Sequence, residues 1–270
     1  MPTVHANGID IYYEIHGSGE PLVLIAGLGY SIWVWHMMVA GLAGKNQVII
    51  FDNRGVGKTG DPPGPYTAEM MADDTVGLIR ALELEKVTIL GHSMGGFIAQ
   101  SLVLKYPEVV TKPILASSNY GGPNHVHMPA ETVAILTDMT MDQMERSEWG
   151  IKISTSPGFY EANPEFVQEW IGYIFERPVT PEALQAQMAI GLELLSATAE
   201  HSYEHKLKNI KAPTLIFSGD GDQLVPSGNV ELLAREIPNN QAEIIADCGH
   251  FFPFDKPEES VEIINRFLHG

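Results

Sequence analysis

KVTILGHSMGGFIAQ, running from Lys86 to Gln100, changes character twice along its length. Val87, Thr88, Ile89 and Leu90 form a short apolar run of the kind that makes a buried strand. Beyond Gly96, the residues Phe97, Ile98, Ala99, Leu102 and Val103 read as a buried helix. Between the two stand Gly91, His92, Ser93, Met94 and Gly95. A strand that becomes a helix in so few residues has to bend sharply, which forces the residue at the bend towards sparsely populated backbone angles. Its neighbours two positions away must then be very small, and Gly91 and Gly95 meet that demand. The bend lifts the Ser93 hydroxyl out of the sheet edge and aims the Met94 amide at whatever Ser93 would attack.

On the N-terminal side, Ile9 to Ile15 reads as an antiparallel strand, paired across Asn7-Gly8 with Thr3-Val4-His5. Pro21 to Ala26 is apolar enough for a central strand, and Gln47 to Phe51 is the next. Ile32-Trp33-Val34-Trp35 opens an aromatic-rich helix to about Ala43, and a further helix begins at Thr67. On the C-terminal side, Lys112 to Ser118 is a strand. The pattern then changes. From Asn119 to about Asn209 methionines (Met128, Met139, Met141, Met144, Met188) and aromatics crowd in, without strand-like alternation. Glu131 to Glu145, Pro164 to Phe175 and Pro181 to Ala199 all have helical spacing. Strands resume at Ala212 to Phe217 and Ala242 to Ala246, each followed by a helix, the last from Lys256 to about Leu268.

G-x-S-x-G between a strand and a helix resembles the nucleophile elbow of the α/β-hydrolase fold family. The stretch FDNRGVGKTG (Phe51–Gly60) is similar to one that the family carries at this point, with Thr59 where serine is common. Length, short N-terminal strands and this stretch look most like the enol-lactonase and small carboxylesterase branch. The resemblance implies an α/β fold: a mostly parallel eight-stranded sheet flanked by helices, with a helical cap inserted after the sixth strand. It divides the chain into a core of residues 1–118 and 210–270 and a cap of residues 119–209.

The family's site order is serine, acid, histidine. Ser93, Asp222 and His250 occur in that order, the last two on loops after predicted strands. Parallel strands bring those loops to one edge of the sheet. Asp220 competes with Asp222, and the family pattern G-x-x-D-x-x-x-P favours Asp222 through Gly219 and Pro226. His92 rivals His250, but a residue beside the serine at the bend points elsewhere. The oxyanion-hole amides are expected from Met94 and Leu28, although the histidine common in that loop is replaced by Ala26. The implied chemistry is a serine hydrolase that cleaves an ester or lactone of a small, largely apolar substrate through an acyl-enzyme. Carbon–carbon bond hydrolysis and perhydrolase activity with the same three residues stay open, as does a slow-turnover small-molecule receptor.

Composition narrows the field. A net charge of −18, from 16 basic and 34 acidic residues, argues against binding phosphate backbones or acidic membranes. The single cysteine, Cys248, excludes an intrachain disulfide and suits a reducing, cytoplasmic setting. The start of the chain lacks a basic-then-apolar leader pattern. The expected partner is a small-molecule ester or lactone, with a homodimer left open, and no cofactor is expected. Two motifs point elsewhere. Gly57-Lys58-Thr59 ends like a phosphate loop, but that motif needs glycine at 52, where Asp52 stands. His201-x-x-Glu204-His205 matches an inverted zinc-peptidase pattern if both histidines share a helical face.

Overall fold

The computed structural model describes residues 2–138 and 140–270. Eight strands form one sheet in the order β1-β2-β4-β3-β5-β6-β7-β8. β1 (Thr3–Ala6) and β2 (Ile9–His16) make the N-terminal hairpin, turning on Asn7 and Gly8, whose φ angles of 49° and 79° suit the primed hairpin turns. β2 runs antiparallel to β4 (Asn46–Phe51), and every later pairing is parallel. The remaining strands are β3 (Glu20–Ile25), β5 (Val87–His92), β6 (Val110–Ala116), β7 (Thr214–Gly219) and β8 (Asn240–Ile245).

Both faces of the sheet are covered, which is why its central strands are apolar throughout and not alternating. Val23, Ile25 and Ile89 point into one core, beneath α2 (Ala68–Ala81) and α3 (Met94–Lys105). Leu22, Leu24 and Leu90 point into the other, beneath α1 (His36–Ala43) and, near the C-terminus, α11 (Pro257–His269). The aromatic segment before α1 is a 3₁₀ turn, Ile32–Trp35, rather than part of that helix; its Ser31 side chain accepts from the Trp33 amide. Thr67 caps α2 by accepting from the Met70 amide.

Between β6 and β7 the described residues hold α4 (Ala130–Thr137), α5 (Gln143–Ser154), α6 (Phe159–Ala162), α7 (Pro164–Glu176) and α8 (Pro181–Ser196), then a 3₁₀ segment, Glu204–Asn209. The single helix expected over Glu131 to Glu145 is thus two. Asp142 caps α5 in a reciprocal capping box with Glu145, so the sequence carried a start signal inside the supposed helix. Met139 lies outside the described residues. Tyr173 of α7 stacks on Trp33 at 4.4 Å, and Trp170 Nε1 donates to the Tyr30 hydroxyl at 3.1 Å, fixing this helix to the loop after β3. After β7 come α9 (Gly228–Glu236) and a short α10 (Phe252–Asp255), which the sequence reading did not anticipate. No helix among the described residues is long and apolar enough to cross a membrane.

Candidate active site

Ser93 sits between the last residue of β5 and the first of α3, with φ 58° and ψ −119°. No L-residue adopts such angles without cost, on the order of 1–3 kcal/mol. The surroundings hold it there. A Cβ on Gly91 would strike the carbonyl of Gly95, one on Gly95 the carbonyl of Ile25, and one on Gly96 the side chain of Ser118. The glycines of the motif are therefore required by close backbone approach. A Cβ on Gly27 would lie 3.1 Å from that of Ser93, so the loop after β3 passes directly beside the serine.

That loop carries Leu28, which lines the same cavity as Ser93 and Met94. Met94 opens α3, so its amide has no acceptor within the helix and points outward at the serine end. Two core side chains brace the loop. Asn53 Nδ2 donates to the Ala26 carbonyl at 3.0 Å, and the Asp52 carboxylate accepts from the amides of Ile32 and Lys58, each at 2.8 Å. The phosphate-loop-like stretch is therefore folded around Asp52 as a joint, with Thr59 Oγ1 returning to the Asp52 carbonyl at 2.7 Å. Burial raises the Asp52 carboxyl above its ordinary range.

Asp222 and His250 meet at the end of β7 and beyond β8. His250 Nδ1 donates to Asp222 Oδ2 at 2.8 Å, and both side chains are almost fully buried. Asp222 Oδ1 accepts from the amides of Leu224 (2.9 Å) and Val225 (2.8 Å), while Ser218 Oγ reaches Oδ2 at 3.3 Å. With its proton on Nδ1, the imidazole leaves Nε2 free as an acceptor. Ser93 and His250 share the cavity wall, and no direct hydrogen bond joins them. Bonds of this kind are commonly long until substrate is in place.

The two rivals stand apart. Asp220 is exposed, and its Oδ1 accepts from the Cys248 amide at 3.4 Å. His92 lies under His250: its Nε2 donates to the His250 carbonyl at 3.0 Å, and the two rings are 4.8 Å apart. Burial first, and the neighbouring His250 second, hold His92 well below the usual histidine range, so it stays neutral. Burial likewise raises the Cys248 thiol far from any reactive thiolate state. The zinc pattern does not form a shared helical face. His201 falls in a turn, where its Nδ1 meets Thr198 Oγ1 at 2.8 Å, and Glu204 accepts twice from Asn124 Nδ2. Among the described residues no cluster of His, Cys, Asp and Glu could hold a metal ion.

Two residues near the site escaped the sequence reading. Gln187 of α8 is fully buried; its Oε1 accepts from the Gly29 amide at 2.9 Å and its Nε2 donates to the Arg54 carbonyl at 2.7 Å. It shares the inward face of α8 with Ala183, Ala186, Ile190 and Leu194, and a polar residue on that apolar stripe was the available signal. Asp255 accepts from the amides of Gly249 (2.7 Å) and Ser156 (2.8 Å) and from Ser156 Oγ (2.9 Å). Nothing local in the sequence marks it. The cavity itself measures about 710 Å³ and is largely aliphatic, with Tyr30, Phe97 and Phe251 in its walls.

A family model described as the alpha/beta hydrolase fold matches residues 20–257. The chain is 28% identical, over 100% of its length and 97% of the other, to RutD of Azorhizobium caulinodans, a protein classed as a carbamate hydrolase. It is 30% identical to a poly(3-hydroxyalkanoate) depolymerase of Ectopseudomonas oleovorans, over 92% of this chain and 84% of that one. Among solved structures, Est816, described as an N-acyl homoserine lactone degrading enzyme, superposes with a TM-score of 0.83 at 28% identity, over 98% of this chain and 100% of the other.

Proposed function

The chain belongs to the alpha/beta hydrolase fold family, and from that premise we propose that it is a serine hydrolase cleaving a carboxylic ester or lactone of a small, largely apolar substrate. The observation that carries the reading is that Ser93 and His250 line one cavity while a buried Asp222 holds His250 from behind. Ser93 stands at a strained bend, His250 lines the same cavity with its Nε2 free, and a buried Asp222 fixes the imidazole's tautomer. A serine hydroxyl is a weak nucleophile at neutral pH and needs such a base, itself oriented by a third group.

In this mechanism His250 Nε2 takes the Ser93 proton as Oγ attacks the substrate carbonyl. The amides of Met94 and Leu28 receive the developing oxyanion, each contributing roughly 3–4 kcal/mol in comparable sites. The imidazolium returns its proton to the leaving alkoxide, and an acyl group is left on Ser93. Water, deprotonated by His250, then releases the acid and restores the serine. Residues 119–209 act as the cap that selects substrates over a core of residues 1–118 and 210–270, in a cytoplasmic protein. The relatives' substrates support the bond class: a carbamate, a polyester and an acylated lactone each hold an acyl group through oxygen or nitrogen.

The test is a fluorophosphonate probe with a panel of esters, lactones and ring-cleavage diketones, on wild type and Ser93→Ala. Expected are labelling and steady multiple turnover by wild type, and neither by the variant. Undiminished labelling of Ser93→Ala would overturn the reading. Turnover confined to the diketones would move the bond class to carbon–carbon hydrolysis, and labelling without multiple turnover would point to a receptor.

A further inference from the structure

Beyond Leu28, His127 and Arg146, six apolar residues of the cavity wall are exposed as well. Val126, Val133 and Leu136 on the α4 side, and Met188, Leu192 and Leu195 on α8, line the cavity and still show more than a third of their surface to solvent. Leu192 is 67% exposed, an extreme value for a leucine that also belongs to a cavity wall. Single exposed leucines are ordinary; a contiguous set that continues an interior wall outward marks a binding surface. α4 and α8 therefore form the two sides of an apolar slot through which the cavity opens.

The charge pattern of the lining is equally one-sided. The chain carries 34 acidic residues, yet no carboxylate is among the described residues of the cavity wall, and Arg146 is the sole Lys or Arg there. The slot thus offers no counter-charge to a cationic substrate. A short acyl group bound at Ser93 would leave these six side chains wet. A chain reaching past the cavity would cover them, and each methylene removed from water adds to binding.

We propose that the substrate carries a long aliphatic arm, which runs from the bond at Ser93 outward along the slot between α4 and α8. The proposal rests on the serine-hydrolase reading of the site, and it adds the substrate class: a fatty-acyl or fatty-alkyl ester, or a lactone bearing such a chain. The arm is held by apolar burial along α4 and α8, so selectivity follows chain length.

The experiment measures kcat/KM for p-nitrophenyl acetate, butyrate, octanoate and dodecanoate, below their aggregation limits. A parallel series of acetate esters of ethanol, butanol and octanol tests whether the arm lies on the alcohol side. In one of the two series kcat/KM should rise by roughly two- to fourfold per methylene until the slot is filled. Leu192→Asn and Leu136→Asn should compress the octanoate-to-acetate ratio, or its alcohol-side equivalent, by about tenfold, with circular dichroism checking the fold. Both series flat or falling with length would overturn the proposal, as would a length preference that the two variants leave intact. Those outcomes differ from failure of the underlying reading, because fluorophosphonate labelling at Ser93 would persist through them.

Discussion

At Asp222 the hydrogen bonds dictate what a single-atom change would do. Oδ1 is committed to two backbone amides, of Leu224 and Val225, and Oδ2 to His250. In Asp222→Asn the one remaining oxygen must stay with the amides, or both lose their acceptor. The new NH₂ then faces His250 Nδ1, which can meet it only by giving up its own proton. The proton moves to Nε2, the atom that accepts from Ser93 in the proposed mechanism. Activity on a simple ester should fall by about 10⁴, as the corresponding change does in a serine protease. Asp220→Asn keeps an oxygen for the Cys248 amide and should stay within a few-fold of wild type. The two variants assayed side by side decide the assignment: a dead Asp220→Asn beside an active Asp222→Asn would replace Asp222 as the third member. As candidates, Ser93, Asp222 and His250 were legible in the sequence, because each follows a strand and the family order names them; the structure pairs Asp222 with His250. The sequence set His92 aside because it adjoins the serine at the bend, and it could not place its ring. Its hydrogen bond to the His250 carbonyl joins residues far apart in the chain, and no local pattern encodes such a contact.

The helices between β6 and β7 meet the sheet edge at Ser154–Ser156, against the loop that bears His250. The Phe251 amide donates to the Ser154 carbonyl at 2.8 Å, and a Cβ on Gly249 would strike the Thr155 backbone. Asp255, at the end of α10, ties both sides together through Gly249 and Ser156. Asp255→Ala strands two amides, at about 1–3 kcal/mol each where water does not replace the carboxylate. It should lower the melting temperature by several degrees, and kcat/KM with it, since the loop beside His250 loses its anchor. Asp255→Asn is expected to stay close to wild type. Its oxygen can serve both amides, and its NH₂ can donate to Ser156 Oγ. An alanine variant as stable and active as wild type would show that the Phe251–Ser154 bond suffices alone. At this scale the strands were readable, because runs such as Val87–Leu90 must be buried on both faces. The helices were readable as helices, but their breaks were governed by caps such as Asp142, and their docking by long-range pairs such as Trp33 and Tyr173.

Across the whole molecule, the buried titrating groups divide into two opposed sets. His92 and His125 are both held below the ordinary histidine range, chiefly by burial. Asp52 and Asp255 are held above the carboxylate range for the same reason. The sign follows from which state binds the proton. Below the unfolded histidine value of about 6.5, the unfolded chain protonates while the fold refuses, so stability falls with falling pH. For the two carboxylates the folded state takes the proton first, so stability rises as pH drops through their raised values. The net charge of −18 also shrinks on acidification, which relieves self-repulsion and opposes the histidine effect. The histidine set should dominate between about pH 7 and pH 5.5, with a slope of up to about 1.4 kcal/mol per pH unit per fully titrating histidine. A substitution separates it from the background. His92→Gln retains a donor for the His250 carbonyl and cannot titrate, so its melting temperature should fall less than that of wild type over this window. Because the charge background is the same in both proteins, the difference between the two curves isolates His92. Parallel curves would mean that His92 takes up its proton as readily in the fold as in the unfolded chain, and the buried neutral ring beneath His250 would have to be abandoned.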